Sequence, residues 1–278
     1  MIPYFIILRP VNLIIIIICS LLTALIINNL TLNIIPIILV IVLIAGFANI
    51  INDVIDCKID QENQLNRPIA SGTISIFSAI CYGSLLLMSA LFIIYYFKFN
   101  DLTTKLILYF NIPLILLYTP FIKKVPLLGN LVVGVILSMV FITTTTYLQG
   151  DIYLIIPPAT LAFLLMVIRE IVKDIADLNG DQKFNVHSLP ATFGINVAFK
   201  IIILFVFILL FTALYYYYTI DSYSNNYLLS LFLFIIIPLF YYLYNFYKNP
   251  TSTYCIYLSK VLKLITIFGV IVIYLANN

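Results

Sequence analysis

Charged residues are scarce in this chain: Asp, Glu, Lys and Arg together make up 9% of its 278 residues. A soluble globular domain carries about 25% charged residues, so the composition excludes that class. Hydrophobic residues make up 64% of the chain, and the mean hydropathy is +1.16. We therefore expect the chain to lie in a lipid bilayer. A net charge of +3 is too small to indicate nucleic acid as a partner.

Histidine is almost absent, and the cysteines are not clustered. The only histidine is His187, in a polar segment, and we interpret it as structural or solvent-facing. The four cysteines are scattered and show no CxxC spacing, which indicates small core residues rather than a disulfide framework. Zinc and copper sites use histidine and cysteine ligands, so neither metal is expected.

Long apolar runs, broken by polar or Pro/Gly clusters, make up most of the chain. A membrane-spanning helix needs roughly 20 apolar residues, and these runs are too long for barrel strands. The first run, after Arg9, is also too long for the core of a cleavable signal peptide. We expect an all-α membrane protein, one domain over residues 1–278, with nine transmembrane helices around a central polar pocket. The predicted spans are approximately 11–29, 34–57, 73–97, 102–120, 126–147, 152–176, 191–218, 226–247 and 255–276.

The basic residues predict the orientation of the chain in the membrane. If the N-terminus is cytoplasmic, every lysine and arginine except Lys98 and Lys105 lies in or near a cytoplasmic segment. Such a bias follows the positive-inside rule. The polar pocket is therefore expected to open on the cytoplasmic face of the cell membrane.

Acidic residues are concentrated in two segments, residues 52–72 and 169–181; only Asp101, Asp151 and Asp221 lie elsewhere. Asn52, Asp56 and Asp60 recur every four residues, which places their oxygen atoms along one stripe of a helix. Asp177 and Asp181 form a second pair with the same spacing. A polar stripe between apolar spans indicates a functional site. The two patterns also suggest two related halves of the chain.

The residue types in these segments favour magnesium and a diphosphate. Mg²⁺ takes oxygen ligands, commonly one or two carboxylates together with water and substrate phosphates. Arginine and lysine near a metal form a clamp for phosphate oxygens. Arg67 and Lys173 lie in the acidic segments, and Lys123 lies in the intervening loop predicted to be cytoplasmic. Because the clamp borders apolar helices, the diphosphate is expected to carry a long apolar tail. Asp53 and Asp174 are interpreted either as bases or positioning partners or as solvated neighbours.

Two other interpretations of the acidic residues exist. Acidic residues in membrane loops are often solvated without a function. Intramembrane acids also mark ion pathways in transporters, but transporters place such groups near the bilayer midplane on interrupted helices. Here the acids lie at the ends of predicted spans, which favours an enzyme over an ion-coupled transporter.

The two motifs resemble a known family. The segment NDVIDCKID followed by NRPIASG is similar to the first motif of the UbiA superfamily of intramembrane prenyltransferases, and KDIADLNGD is similar to the second. YTPFIKKVPLLGN, residues 118–130, resembles the loop between the fourth and fifth helices of that family. The resemblance extends over essentially the whole chain.

The resemblance implies a role for each matching residue. The family's Mg²⁺ ligands correspond to Asn52, Asp56, Asp60, Asp177 and Asp181. The residues that bind the substrate diphosphate correspond to Arg67, Lys123 and Lys173, with Tyr118 as a further contact at the start of the loop. The residues assigned to catalysis are Asp53, Asp174 and Lys173. Such enzymes ionise an allylic prenyl diphosphate, and a nucleophile then captures the carbocation.

The short interval between Asp60 and Arg67 is similar to the interval at this place in one branch of the family. That branch transfers a prenyl group, expected to be geranylgeranyl, from its diphosphate to a lipophilic acceptor. The implied acceptor is geranylgeranylglyceryl phosphate, a precursor of membrane ether lipids. Ala70 and Ala176 depart from the residues that are common at these positions in that branch. Within the family, the alternative is an aromatic acceptor of quinone or chlorophyll-type biosynthesis.

Overall fold

The computed structural model describes residues 2–62, 66–184, 186–221, 223–248 and 251–276. Residues 63–65, which belong to the first acidic segment, lie outside the described residues. Within the described ranges all regular structure is helical, and no strand is present. The expected all-α fold is confirmed.

The chain divides into two compact units. The first comprises Met1–Lys124 with Met139–Ile152, and the second comprises Val125–Ser138 with Tyr153–Asn278. The helices that lie wholly in the first unit are α1 (Ile2–Ile6), α2 (Pro10–Ile26), α3 (Ile35–Ile55), α4 (Cys57–Glu62), α5 (Ile76–Tyr96), α6 (Asp101–Lys105) and α7 (Ile112–Tyr118). Short 3₁₀ turns cover Leu32–Ile34, Ile122–Lys124 and Ile152–Leu154, and a π-helical segment, Leu106–Asn111, joins α6 to α7.

The next helix, α8 (Leu128–Tyr147), contributes residues to both units. The helices of the second unit that follow it are α9 (Ile156–Ala176), α10 (Leu178–Lys183), α11 (Leu189–Phe193), α12 (Ile195–Thr219), α13 (Asn225–Leu231), α14 (Ile237–Lys248) and α15 (Ser252–Ala276). A second π-helical segment, Phe232–Ile236, joins α13 to α14.

Local sequence explains where several of these helices begin. Proline stands in the first turn of α2, α3, α7 and α9, where its missing N–H breaks no helical hydrogen bond. Ser75 caps α5 by accepting a 3.1 Å hydrogen bond from the Ser78 N–H, and Asn100 caps α6 through the Thr103 N–H at 2.9 Å. Polar residues between the apolar runs therefore fix the helix starts.

The helices suit a bilayer. Each predicted span contains a helix within the described residues. In the part of the chain that the structure describes, six helical stretches are long and apolar enough to cross a membrane: Leu32–Ile55, Ile76–Tyr96, Asp101–Tyr118, Leu128–Tyr147, Ile195–Thr219 and Asn225–Lys248. Large apolar side chains also lie on the outside of the protein, for example Tyr95, which is 83% exposed. The chain is an integral membrane protein, and the crossing of the bilayer by α2, α9 and α15 stays a prediction.

The first unit is organised around α3, which packs against α2 and α5. Gly83 of α5 permits close contact, because a Cβ at that position would lie 3.3 Å from the Ile50 side chain. A buried cluster lies next to the end of α3 that carries the first acidic segment; its members are Ile7, Ile50, Ile69, Ile74 and Ala79. This apolar packing holds α3 beside the loop that follows α4.

The second unit is organised around α9, which packs against α12 and α15. Val167, Ile168, Ile171 and Val172 of α9 are fully buried in the main apolar core of this unit. The same helix carries the second acidic segment at its C-terminal end. In both units, therefore, a long packed helix presents the acidic residues.

Candidate active site

The first acidic segment keeps helical spacing beyond the end of α3. The Asp56 N–H donates to the Asn52 carbonyl oxygen at 2.8 Å, and the Asp60 N–H donates to the Asp56 carbonyl oxygen at 2.9 Å. Asn52 lies in the last turn of α3 and Asp60 in α4. The three side chains are thus one helical turn apart, as their four-residue spacing predicted.

Asn52 and Asp56 contact the segment that follows α7. The Lys123 ammonium lies 2.5 Å from Asp56 Oδ2, with Lys123 21% and Asp56 11% exposed. The Thr119 hydroxyl donates to Asn52 Oδ1, and Thr119 itself is buried. Lys123 lies in the 3₁₀ turn after α7, so α3 and this turn together form one side of the candidate site.

The loop after α4 positions Arg67. The Pro68 carbonyl oxygen accepts hydrogen bonds from the Thr73 hydroxyl at 2.8 Å and from the Ile74 N–H at 3.1 Å. Gly72 permits this turn because it adopts a φ of +73°, which favours glycine. The Gln61 amide donates to the Ala70 carbonyl oxygen at 3.1 Å, which holds α4 against the loop.

Arg67 joins two carboxylates. Its Nη1 lies 2.6 Å from Asp60 Oδ2 and 3.0 Å from Asp53 Oδ1. Arg9 Nη2 approaches the same Asp53 oxygen at 2.5 Å, and the Asp53 side chain is only 3% exposed. Burial raises the pKa of the Asp60 carboxyl to about 6, although the Arg67 guanidinium acts in the opposite direction. A chain of alternating charges thus runs from Arg9 through Asp53 and Arg67 to Asp60.

The second acidic segment is built in the same way within the second unit. The Asp177 N–H donates to the Lys173 carbonyl oxygen at 3.0 Å, and the Asp181 N–H donates to the Asp177 carbonyl oxygen at 3.1 Å. Asp177 follows the last residue of α9, and Asp181 is buried in α10. The spacing predicted for this pair is therefore helical as well.

Basic and amide side chains accompany this segment. Lys173 Nζ lies 3.3 Å from Glu170 Oε2, and Arg169 Nη1 lies 2.5 Å from Glu170 Oε1. The Asn130 amide, at the start of α8, donates to Asp174 Oδ2 at 2.6 Å. Asp174 is thus held by a neutral partner, whereas Asp53 lies between two guanidinium groups.

Each unit brings its own predicted site residues together. In the first unit Asn52, Asp53, Asp56, Asp60, Arg67 and Lys123 lie around the end of α3, and Tyr118 is the half-buried last residue of α7. In the second unit Lys173, Asp174, Asp177 and Asp181 lie around the end of α9. The sequence did not single out three polar partners at these sites: Arg9, Thr119 and Asn130.

The side chains present suit a hard cation. Asn52, Asp56 and Asp60 offer only oxygen ligands along one stripe, and Mg²⁺ needs few protein ligands when substrate phosphates supply the others. Among the described residues, no group of three or more His, Cys, Asp or Glu side chains is arranged to hold a metal ion. Instead, Lys123 and Arg67 neutralise two of the carboxylates.

The protein is an integral membrane protein, and its apolar helices end in carboxylates paired with cations. Such an arrangement is suited to binding a charged ligand. The model of the UbiA prenyltransferase family matches residues 12–273. The chain therefore belongs to the UbiA prenyltransferase family, and it is an enzyme that transfers prenyl groups.

Individual relatives and a solved structure agree with this assignment. The digeranylgeranylglyceryl phosphate synthase of Methanosphaera stadtmanae is 32% identical over 221 residues, which cover 79% of this chain and 80% of the relative. The synthase of the same name from Methanosarcina mazei is 34% identical, with 84% and 78% covered. A UbiA homologue from Archaeoglobus fulgidus, solved with GPP and Mg²⁺, has a TM-score of 0.69 at 19% identity, over 98% of this chain and 99% of that one. This last likeness shows the fold.

Proposed function

We propose that this enzyme transfers a geranylgeranyl group from its diphosphate to geranylgeranylglyceryl phosphate, in a reaction that depends on Mg²⁺. The observation that carries the proposal is identity above 30%, over about four fifths of the chain, to synthases named for that product. The proposed Mg²⁺ requirement is supported by the oxygen-only stripe on α3 and α4. The homologue solved with GPP and Mg²⁺ binds the same classes of ligand.

Each proposed site residue has a task in this reaction. Asn52, Asp56, Asp60, Asp177 and Asp181 are proposed to hold Mg²⁺. Arg67, Lys123, Lys173 and Tyr118 are proposed to contact the diphosphate. Lys123 and Arg67 lie against Asp56 and Asp60, so both basic side chains are already placed beside the residues that would hold Mg²⁺, where they would meet the phosphate oxygens.

Transfer breaks the bond between the prenyl C1 and the diphosphate oxygen, and both electrons leave with the diphosphate. Bound Mg²⁺ supplies positive charge to the leaving group. Arg67, Lys123 and Lys173 stabilise the same developing negative charge from fixed positions. The acceptor hydroxyl oxygen then bonds to C1 and loses its proton. Asp53 and Asp174 are either the groups that receive this proton or partners that position their neighbours.

The proposed site lies at the cytoplasmic ends of a single membrane domain that covers residues 1–278. Nine helices, including α2, α9 and α15, are proposed to cross the bilayer around a central polar pocket. The positions of the lysines and arginines support the cytoplasmic assignment. The geranylgeranyl chain length is supported by the names of the relatives.

An acceptor competition tests the function. The purified protein in detergent receives geranylgeranyl diphosphate together with geranylgeranylglyceryl phosphate and an aromatic quinone precursor, with Mg²⁺ or with a chelator. We expect one product, whose mass is that of the digeranylgeranylglyceryl phosphate, and none with the chelator. A prenylated aromatic product would overturn the acceptor assignment. No diphosphate release in detergent, together with solute uptake by the protein reconstituted in vesicles, would instead favour a transporter.

A further inference from the structure

The two acidic segments have the same local construction. α3 and α9 each contain 21 residues and begin with Ile-Pro, and each ends before an aspartate that is followed by a six-residue helix. In both units a side chain 44 residues upstream binds the aspartate near the helix end: Arg9 binds Asp53 and Asn130 binds Asp174. The acidic positions are therefore a repeated structural unit.

Three positions of α9 carry a charge where α3 carries none. When the segments are aligned on Asp56 and Asp177, Arg169 is level with Ala48, Glu170 with Asn49 and Lys173 with Asn52. In the first unit Asn49 donates to the Leu8 carbonyl oxygen at 2.9 Å. In the second unit Glu170 lies between two cations. In the first unit α3 and α4 form without a charged side chain at positions 48, 49 and 52. The charges at positions 169, 170 and 173 are therefore not needed to form the corresponding helices of the second unit.

Among the three charged residues Arg169, Glu170 and Lys173, Arg169 has a buried nitrogen that donates no hydrogen bond. The residue is 9% exposed, and its Nη1 contacts Glu170 Oε1 at 2.5 Å and Met166 Sδ at 3.4 Å. Its Nε is buried and has no hydrogen-bond partner. A guanidinium carries five N–H donors, and burying a donor without a partner is unfavourable. Buried polar groups usually have a hydrogen-bond partner, so this Nε can donate to a ligand bound beside α9.

Resting on the proposed function, we infer that Arg169 binds the phosphate group of the acceptor and thereby selects a phosphorylated glycerol lipid over an uncharged one. A guanidinium binds phosphate oxygens through two parallel N–H donors. Glu170, which Arg169 shares with Lys173, orients both cations. Arg169 thus determines acceptor specificity, whereas Lys173 is proposed to bind the donor diphosphate.

The position of Arg169 on α9 agrees with the chemistry of this acceptor. Residues four apart lie on one face of a helix, about one turn of 5.4 Å from each other, and Arg169 precedes Lys173 by one turn. In geranylgeranylglyceryl phosphate the reacting hydroxyl and the phosphate are on neighbouring glycerol carbons. An acceptor whose hydroxyl reaches the donor must therefore place its phosphate within a few ångströms of the donor site.

Steady-state kinetics on full-length variants test the inference. The concentrations of geranylgeranyl diphosphate and geranylgeranylglyceryl phosphate are varied in turn for the wild type, Arg169→Gln and Arg169→Lys. For Arg169→Gln we expect the acceptor KM to rise roughly tenfold or more, since a charge-assisted bidentate contact is lost, and the donor KM to stay within about twofold. Arg169→Lys should recover part of the loss because it restores the charge without the planar fork.

A dephosphorylated acceptor, geranylgeranylglycerol, separates a loss of phosphate recognition from a general loss of enzyme activity. The wild type should use geranylgeranylglycerol slowly, and Arg169→Gln should use it at the same slow rate. Because Arg169→Gln also uses the phosphorylated acceptor less well, the preference for that acceptor is lost. The matched control is Lys105→Gln, which removes a cation from an exposed pair with Asp101 and should leave both KM values unchanged.

The outcomes distinguish this inference from the proposed function. Wild-type protein that makes the ether product, together with an unchanged acceptor KM in Arg169→Gln, overturns the role of Arg169 alone. Equal rises in donor and acceptor KM also overturn it. Wild-type protein that ignores geranylgeranylglyceryl phosphate overturns both. If Arg169→Gln does not fold, Arg169→Lys with the two acceptors still decides, because unaltered discrimination in that variant contradicts the inference.

Discussion

Asp56 and Asp177 are the residues on which transfer is expected to depend most directly. Each lies between a long packed helix and a six-residue helix, and each is proposed to hold Mg²⁺ against the diphosphate. Replacing either by alanine removes a carboxylate from the place where leaving-group charge develops. We expect the rate of transfer to fall by roughly 100-fold or more for each variant. Prenyl transfer from a radiolabelled donor measures this loss.

The control for these variants is Asp101→Ala. Asp101 is exposed and forms an ion pair with the surface residue Lys105, so this change should leave the rate unaltered. Gel filtration in detergent checks that all three variants remain folded. Near-normal transfer by either Asp56→Ala or Asp177→Ala would exclude that residue from the site.

Arg67 contacts Asp53 and Asp60 through the same nitrogen, which holds its guanidinium beside the proposed metal ligands. Arg67→Lys keeps the charge but loses the planar group that binds phosphate oxygens bidentately. We expect the donor KM to rise roughly tenfold in Arg67→Lys and further in Arg67→Gln, with a smaller effect on the acceptor KM. Initial rates at varied donor concentration provide the measurement. A donor KM unchanged in Arg67→Gln would contradict diphosphate binding by Arg67.

At the scale of helices, Gly134 allows α8 to lie close to α9. A Cβ at Gly134 would be 2.8 Å from the ring of Phe163 and 2.9 Å from Val167 Cγ2. Val167 is fully buried and β-branched, so it has little freedom to move. We expect Gly134→Ala to destabilise the protein by about 1–3 kcal/mol, detected as a lower thermal unfolding temperature in detergent.

Gly269 of α15 provides the matched substitution. A Cβ there would have its nearest neighbours, in Ile235 and Leu165, at 3.8 Å, an ordinary contact distance. Gly269→Ala should therefore be neutral or stabilising by up to about 1 kcal/mol, because alanine favours a helix over glycine. Equal unfolding temperatures for the two alanine variants would show that α8 and α9 adjust to the added methyl group.

The helical stripe of Asn52, Asp56 and Asp60 could be predicted from the sequence because four-residue spacing depends only on local helix geometry. The positions of the long helices followed likewise from apolar runs of bilayer length. The contacts of Arg9, Thr119 and Asn130 could not be predicted. They join residues 44 or 67 positions apart, and such contacts arise from helix packing rather than from a local pattern.

At the scale of the whole molecule, the repeated construction explains why two distant segments have matching chemistry. Each unit folds around its own long helix and its own apolar cluster. Each also supplies an aspartate stripe whose backbone geometry is set locally. The differences between the repeats, above all at Arg169, Glu170 and Lys173, are consistent with one half that is specialised for the acceptor.

The proposed reaction requires both acidic segments on the cytoplasmic side of the membrane, and cysteine labelling tests this directly. In a variant without native cysteines, single cysteines replace Lys58 in the first segment and Lys183 just after the second. Others replace Lys98 and Asp151 in the links predicted to face outward, and all four positions are exposed. A maleimide reagent that does not cross membranes should label Lys58→Cys and Lys183→Cys only in inside-out vesicles. Lys98→Cys and Asp151→Cys should react only in intact cells. Labelling of Lys58→Cys and Lys183→Cys from opposite sides would place the two stripes on different faces of the bilayer, where they could not bind one diphosphate.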